Sequence, residues 1–160
     1  MHSLETQLPK EMYFDPEGHI TPEEVYSLQN PIVTDWVAKL WGAQRIEDYR
    51  AKAAREGVAI HSTVVRDEDA EVIAAGDVLI NSSNTEGHLA NLVVRAEHRG
   101  RGIGQAILFD RVNFADTKNL ALTTVLSPQN NLRTLYHKLG FSPRMPSARL
   151  LYRPNHSSDK

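Results

Sequence analysis

The residues with the clearest capacity for chemistry form a glycine-rich turn at positions 99–105, with the sequence RGRGIGQ. An apolar run precedes the turn and a helical pattern follows it, so the turn lies between a predicted strand and a predicted helix. Glycine allows the backbone to approach a ligand closely, and the first N–H groups of a helix have no partner within the helix. Because the helix dipole and two arginines add positive charge, the turn suits a phosphate group.

Two familiar kinds of phosphate-binding turn do not fit this stretch. A Walker A loop would end in Gly-Lys-Ser/Thr, which is absent, and Ile107 stands where the dinucleotide fingerprint has its third glycine or alanine. In addition, no acidic residue follows the next predicted strand to hold a ribose. ATP, GTP and NAD are therefore disfavoured as ligands.

Two motifs resemble the GNAT superfamily of acetyl-CoA-dependent N-acyltransferases. The pyrophosphate signature of that family, Arg/Gln-x-x-Gly-x-Gly/Ala, is matched by Arg99, Gly102 and Gly104, and its Leu-Tyr-x-x-x-Gly-Phe motif is matched by LYHKLGF at 135–141. The resemblance extends over residues 58–153. It implies the α/β (α+β) fold of the family, a mixed and mostly antiparallel sheet flanked by helices, with acetyl-CoA as the co-substrate.

The same resemblance implies which residues contact acetyl-CoA. The strand before the turn pairs with the pantetheine arm, and a backbone N–H near Val93 or Val94 stabilises the oxyanion. The turn and the start of the next helix hold the pyrophosphate. The implied cofactor-binding residues are Leu92, Val93, Val94, Arg99, Gly100, Arg101, Gly102, Ile103, Gly104, Gln105, Asn130 and Asn131.

The sequence departs from the family pattern at two positions. Ala96 stands where proline is common in the turn, and Gln129 stands where asparagine is common before the tyrosine-bearing helix. Asn130 and Asn131 follow directly, and they either contact CoA or cap that helix.

Acetyl transfer requires a neutral amine, and an amine with a pKa of ~10.4 is almost entirely protonated at pH 7. In relatives with a base on the strand before the turn, the base lies eleven residues ahead of the motif, which corresponds to His88 here. A histidine titrates near neutral pH and suits this role. Glu86, two residues earlier on the same strand face, and a chain of water molecules are the alternatives.

The departing thiolate requires a proton, and the resemblance implies that Tyr136 supplies it. The alternative interpretation is that Tyr136 only continues the apolar helix stripe of Leu132, Leu135 and Leu139. No metal site is expected, because the seven histidines include no His-x-x-x-His or His-Glu-x-x-His spacing. Since the chain has no cysteine, a cysteine-bound intermediate is excluded as well.

The composition is that of an ordinary globular chain of 160 residues, with 41% apolar and 24% charged residues. The patterns predict two helices, a hairpin, a further strand, and then alternating helices and strands. We expect the central strand, at about 88–94, to diverge from the strand at 120–126 and admit acetyl-CoA. Trp36 and Trp41 fall on one face of a predicted helix, which favours burial in the core over a place in the acceptor pocket.

We expect one N-acetyltransferase domain over residues 1–160, with a helical acceptor-side segment at 1–57, a cofactor-binding core at 58–153 and a tail at 154–160. The sequence has neither a membrane-spanning run nor a signal peptide pattern, so we expect a cytoplasmic protein. No nucleic-acid recognition motif is present. We expect a homodimer, with neither nucleic acid nor membrane as a partner.

The acceptor is the least determined feature of the sequence. Residues 1–80 carry 7 Lys+Arg and 15 Asp+Glu, which favours a cationic acceptor such as a polyamine, aminoglycoside, amino acid or peptide amine. The Gly87-His88-Leu89 sequence instead resembles the central strand of amino-sugar-phosphate acetyltransferases. The predicted activity is direct N-acetylation of a primary amine of a small molecule or peptide, and a non-catalytic acyl-CoA-binding module is the rival interpretation.

Overall fold

A computed structural model describes residues 7–126, 130–144 and 149–155 of the chain. Among these residues, no helix has both the length and the apolar character needed to cross a membrane. The elements of the described part are β1 (Met12–Phe14), α1 (Pro22–Gln29), α2 (Trp36–Arg55), β2 (Ala59–Asp67), β3 (Val72–Ile80), β4 (Glu86–Val94), α3 (Ile103–Thr117), β5 (Leu122–Leu126), α4 (Asn130–Lys138), β6 (Ser142–Pro143) and β7 (Leu150–Pro154).

A seven-stranded sheet with the strand order β1-β2-β3-β4-β5-β7-β6 forms the centre of the described structure. Neighbouring strands are antiparallel except for β4 and β5, which are parallel. The helix α3 connects this pair, because parallel neighbours need a long crossover connection. The predicted mixed, mostly antiparallel sheet with flanking helices is confirmed.

Helices cover both faces of the sheet. On β2, His61 stacks on an aromatic ring of α3 and the hydroxyl of Thr63 donates a hydrogen bond to Asp110 of α3 at 2.7 Å. Val64, the residue after Thr63, packs in a cluster with Leu28 of α1. Since successive strand residues point to opposite faces, α1 and α3 lie on opposite sides of the sheet.

The position of α1 is fixed by its first turn. The hydroxyl of Thr21 accepts a hydrogen bond from the amide of Glu24, and the Glu24 carboxylate accepts one from the amide of Thr21. This capping box, which the sequence predicts, satisfies two N–H groups at the helix start. Arg66 of β2 forms ion pairs of 2.9 Å with Glu24 and with Asp15, so the start of α1 is tied to the sheet.

A β-bulge interrupts β4 where it pairs with β3. Residues 91 and 92 of β4 together oppose Gly76 of β3. Asn91 has a φ of +59°, in the left-handed region that asparagine tolerates better than most residues. A Cβ atom at Gly76 would lie 2.9 Å from Cγ2 of Ile107 and 3.2 Å from Cζ of Arg111, so the missing side chain gives α3 room to approach the bulge.

The prediction that Trp36 and Trp41 lie in the core is wrong. The two residues are 72% and 69% exposed on α2. The buried positions of this helix include Gly42 and Ala53. A Cβ atom at Gly42 would lie 1.9 Å from the ring of Tyr26 in α1, so the two helices meet through a small residue and the tryptophans remain outside the contact.

Candidate active site

The strands β4 and β5, at the centre of the sheet, pair over only the first part of β4. Their pairing runs from Glu86 with Leu122 to Leu89 with Val125, whereas β4 itself continues to Val94. The edge of β4 that faces away from β3 is therefore not paired with β5 over residues 90–94. Residues 127–129, which follow β5, lie outside the described residues, so the divergence of the two strands stays a prediction. Within the described part, the edge of β4 over residues 90–94 offers backbone groups to an extended ligand.

The glycine-rich turn leads from the end of β4 into α3. Arg99 folds back over the strand, and its Nε donates to the carbonyl oxygen of Val94 at 3.1 Å. Gly100 and Gly102 have φ values of +80° and +79°, which glycine adopts without strain. Gly102 is the N-cap of α3 and no side chain caps the helix, so the N–H groups of its first turn are available to a phosphate.

Around this turn, most of the predicted cofactor-binding side chains pack against other side chains of the protein. Ile103 is buried, and Leu92 and Val94 pack beside it. Val93 packs in a cluster with residues of α1, and Gln105 is exposed. A ligand at these positions meets mainly the backbone, as predicted for pairing with an extended arm.

Two predicted contacts, Asn130 and Asn131, begin α4. Their side chains lie outside the described part of the structure. Whether the two side chains cap α4 or contact CoA is therefore not tested by the structure, and the CoA contact stays a prediction.

Arg101, on the exposed side of the turn, has a partner of its own. Its Nη2 forms an ion pair with Glu11, from the segment before β1, and its Nη1 lies 3.4 Å from Nδ1 of His98. The hydrogen bond from Arg101 lowers the pKa of the Glu11 carboxyl. The Nη2 atom of Arg101 can therefore bind a phosphate only after its ion pair with Glu11 breaks.

His88 lies on β4, near the end of the part of the strand that pairs with β5. Its Nδ1 is 2.8 Å from Oγ1 of Thr124 on β5. The ring is half-buried, and burial together with the positive charge of Arg111 lowers the pKa of His88 below 6.5. His88 is therefore neutral at pH 7, and with its hydrogen on Nδ1 it presents an Nε2 lone pair that can accept a proton. Glu86, the alternative base, lies exposed at the start of β4.

Tyr136 is part of the main core cluster and only 4% exposed. Its ring packs edge-on against Phe141, with 5.6 Å between the ring centroids. Burial raises the pKa of the phenol, and the charge of Arg111 acts in the opposite direction. The phenol therefore keeps its proton at neutral pH while lying in the electrostatic field of a cation, which fits a proton donor as well as a core residue.

Arg111, which the sequence analysis missed, lies between the sheet and α3 and is 1% exposed. Its Nη1 donates to the carbonyl oxygens of Asp77 and Ala90 at 3.1 and 3.3 Å, the pair of residues that borders the bulge. Its Nε has no hydrogen-bond partner among the described residues, whose ion pairs do not include Arg111 either. Burial lowers the pKa of Arg111 to about 10, although Tyr136, Asp77 and Asp110 act in the opposite direction.

The charge of Arg111 connects the two candidate catalytic side chains. It lowers the pKa of His88, which keeps this base neutral, and it lowers the pKa of Tyr136, which eases proton release. One signal in the sequence could have identified it. Arg111 follows Ile107 by four residues and Leu108 by three, so it is a charged residue on the apolar face of its helix.

A cavity of about 450 Å³ lies between α1, α2 and the sheet, within the size range of small-molecule sites. Asp77 of β3 and Asn91 of the bulge line it together with Val93, so it reaches the unpaired part of β4. The Asp77 carboxylate accepts hydrogen bonds from Ser62 at 2.7 Å and from Asn91 at 2.9 Å. Sequence reasoning missed Asp77 and Asn91, although both are polar residues within otherwise apolar strands.

Across the described ranges, no group of His, Asp and Glu side chains could hold a metal ion. A family model for the acetyltransferase (GNAT) domain matches residues 58–143. The chain belongs to the GNAT acetyltransferase family. The turn at 99–105 and the LYHKLGF motif at 135–141 both lie within the matched range, whereas α1 and α2 precede it.

A search of curated proteins gives no match. Solved acetyltransferases share the fold at low sequence identity. A dodecameric spermidine N-acetyltransferase from Vibrio cholerae has 14% identity and a TM-score of 0.62, over 91% of this chain and 95% of that chain. The PaiA N-acetyltransferase from Thermoplasma acidophilum, solved in complex with coenzyme A, has 14% identity and a TM-score of 0.58, over 89% and 98%. An acetyltransferase from Trypanosoma brucei has 19% identity and a TM-score of 0.61, over 86% and 97%.

Proposed function

We propose that this GNAT-family protein transfers the acetyl group of acetyl-CoA directly to a primary amine of a small molecule or peptide. The observation that carries the proposal is the unpaired edge of β4 over residues 90–94, which begins beside His88 and ends at the glycine turn. The pantetheine arm lies along residues 92–94, and the pyrophosphate lies at the N–H groups of residues 100–105. Asn130 and Asn131 complete the proposed contacts. The coenzyme A complex of PaiA supports this assignment of the ligand.

The proposed reaction forms a C–N bond, breaks the C–S bond of the thioester and moves two protons. His88, neutral at pH 7, takes the proton that the acceptor nitrogen loses as it attacks. Backbone N–H groups near Val93 and Val94 stabilise the oxyanion. Tyr136 gives its phenolic proton to the departing thiolate, and the charge of Arg111 stabilises the tyrosinate left behind. Exchange with solvent then removes the proton from His88 and restores Tyr136.

We also propose the division of labour along the chain. Residues 1–57 form the acceptor side, which the cavity lined by α1 and α2 supports, and residues 58–153 form the cofactor-binding core. Residues 154–160 form a tail, of which 156–160 lie outside the described residues. The three parts make up one N-acetyltransferase domain.

We propose in addition that the chain forms a homodimer. The exposed apolar side chains at the start of α2, Trp36, Leu40 and Trp41, support self-association. Light scattering should give twice the mass of the chain, and a monomeric mass at all concentrations would contradict the proposal.

The first test of acetyl transfer is calorimetric titration with acetyl-CoA, CoA and NADH, followed by a thiol-release assay against a panel of amines. We expect micromolar binding of acetyl-CoA and CoA, no binding of NADH, and turnover of at least one amine. A folded protein that does not bind acetyl-CoA would refute the proposal. Binding without any turnover would indicate an acyl-CoA-binding module instead.

The variant Tyr136→Phe tests the proton donor. It keeps the ring that packs on Phe141, so the fold and the affinity for acetyl-CoA should persist, while kcat falls by about a hundredfold or more. Tyr13→Phe, an exposed tyrosine on β1 at the far edge of the sheet, is the matched control and should leave kcat unchanged. An unchanged kcat in Tyr136→Phe would show that the phenol is only a core residue.

A further inference from the structure

The charges around the acceptor cavity differ in sign from the N-terminal half that supplies most of its lining. Residues 1–80 carry 15 acidic and 7 basic side chains. Among the described residues, however, the charged side chains that line the cavity are Arg45 and Arg50 of α2 and Asp77 of β3. A ligand in the cavity therefore meets two positive groups and one negative group.

The two arginines belong to one face of α2. The residues of this helix that line the cavity are spaced as one helical face requires, and they are Gly42, Arg45, Ile46, Tyr49 and Arg50. Neither arginine takes part in an ion pair within the described part of the chain. The neighbouring acidic residue Asp48 accepts a hydrogen bond from Gln44 and does not line the cavity.

The single carboxylate of the cavity is already engaged. Asp77 accepts hydrogen bonds from Ser62 and Asn91, and it interacts electrostatically with the buried Arg111 behind the strand. The charge of Asp77 is therefore largely balanced by the protein, whereas Arg45 and Arg50 form no ion pair with a carboxylate of the described residues.

We propose that the acceptor is an amine that also carries an anionic group, a carboxylate or a phosphate, and that Arg45 and Arg50 bind this group. The inference rests on the proposed acetyl transfer and names its substrate class. Guanidinium groups bind carboxylate and phosphate through paired, charge-assisted hydrogen bonds. The anionic group lies at α2, and the amine extends past Asn91 to the unpaired edge of β4. A polyamine, which is positive at each end, is repelled by both arginines.

The test compares acceptors that differ only in the anionic group. Thiol release from acetyl-CoA is measured with α-amino acids and their amides, with glucosamine and glucosamine 6-phosphate, and with spermidine. We expect kcat/KM to be at least about tenfold higher for one class of anionic acceptor than for its neutral counterpart. The amino acid pairs and the sugar pair distinguish a carboxylate from a phosphate as the recognised group.

Variants of α2 test the assigned residues. Arg45→Gln and Arg50→Gln should each raise KM for the anionic acceptor by about tenfold and leave kcat and the affinity for acetyl-CoA nearly unchanged. Arg55→Gln, an exposed arginine of the same helix that does not line the cavity, is the matched control and should leave KM unchanged. If Arg45→Gln and Arg50→Gln have the same KM for the anionic acceptor as the control Arg55→Gln, the assignment is overturned.

Preference for spermidine, or equal rates for neutral and anionic acceptors, would overturn the substrate class while leaving acetyl transfer intact. If no acceptor is turned over, the same pairs are titrated calorimetrically into the protein with and without saturating CoA. Tighter binding of an anionic member, lost in Arg50→Gln, supports the proposal, and equal binding of both members refutes it. Failure of the proposed function has a different signature, because acetyl-CoA then does not bind, or binds without turnover of any amine in the panel.

Discussion

Replacement of the buried Arg111 by methionine should change the pH dependence of the reaction more than the stability of the protein. Burial lowers the pKa of Arg111 well below its ordinary range, to about 10, which corresponds to about 3 kcal/mol by which the fold disfavours the charged side chain. Arg111→Met removes this cost. It also removes the hydrogen bonds to the carbonyl oxygens of Asp77 and Ala90, at about 1–2 kcal/mol each. The free energy of unfolding should therefore change by less than about 2 kcal/mol.

The expected change in the pH profile follows from the protonation states of His88. A base must be neutral, so kcat/KM falls as the pH drops through the pKa of His88, which lies below 6.5. In Arg111→Met the nearby positive charge is gone and the pKa of His88 rises. The acidic limb should therefore move to higher pH, although burial, the larger cause of the lowered pKa, remains in the variant. The pKa of Tyr136 should rise as well, which ultraviolet titration of the phenol can follow.

The assay is thiol release between pH 5 and 9 with saturating acetyl-CoA, combined with urea unfolding. Arg111→Lys keeps a positive charge and should leave the acidic limb in place. Arg153→Met is the matched control for loss of a buried arginine, because Arg153 pairs with Asp116 at 2.9 Å, and it should lower stability without moving the limb. An acidic limb that stays in place in a folded Arg111→Met protein, or that survives in His88→Gln, would refute the reasoning.

Three further variants test the cofactor site and the base. Gly102→Val places a branched side chain at a φ of +79° beside the proposed pyrophosphate and should weaken acetyl-CoA binding at least about tenfold. The control is Gly104→Ala, because the family motif allows alanine at this helical position. This variant should leave the affinity unchanged and add about 0.5–1 kcal/mol of stability. Glu11→Gln frees Arg101 and should tighten acetyl-CoA binding about two- to fivefold in calorimetry; weaker binding would show that the ion pair orders the turn. Thr124→Val removes the oxygen 2.8 Å from Nδ1 of His88, the proposed base, and should lower kcat about two- to tenfold. Thr124→Ser should restore kcat, and equal kcat values in both variants would exclude a positioning role.

The cofactor side of the fold could be predicted because its signals are local in the sequence. The run at 99–105 needs glycine where φ is positive, and Gly102 supplies the uncapped start of α3. The family resemblance also predicts that part of β4 lacks a strand partner, and within the described residues the pairing with β5 does end at Leu89. At this turn a positive φ requires glycine, so a few adjacent residues are enough to predict the backbone conformation.

The acceptor side could not be predicted in the same way, because its signals depend on which face of a helix meets the sheet. The apolar stripe that contains Trp36 and Trp41 predicts a buried face, yet α2 packs through Gly42 against Tyr26 and leaves the stripe exposed. Hydrophobic periodicity gives the direction of burial only when the larger apolar residues make the contact. Here the small residue makes the contact, and its helix face carries Arg45 and Arg50 instead of leucines.

The net charge of a segment likewise does not predict the charge of a cavity within it. The count over residues 1–80 is acidic, but acidic groups at the surface are screened by solvent within about 10 Å, whereas a ligand in a cavity interacts with the few groups that line it. Asp77 illustrates the difference, because its carboxylate is bound by Ser62 and Asn91 and faces Arg111. In the proposed acceptor site, the ligand therefore interacts mainly with Arg45 and Arg50 of α2, which form no ion pair within the described part of the chain. The packing of α2 over the sheet brings Arg45 and Arg50 to the cavity. This packing depends on the contact between Gly42 and Tyr26, which a count of charged residues cannot reveal.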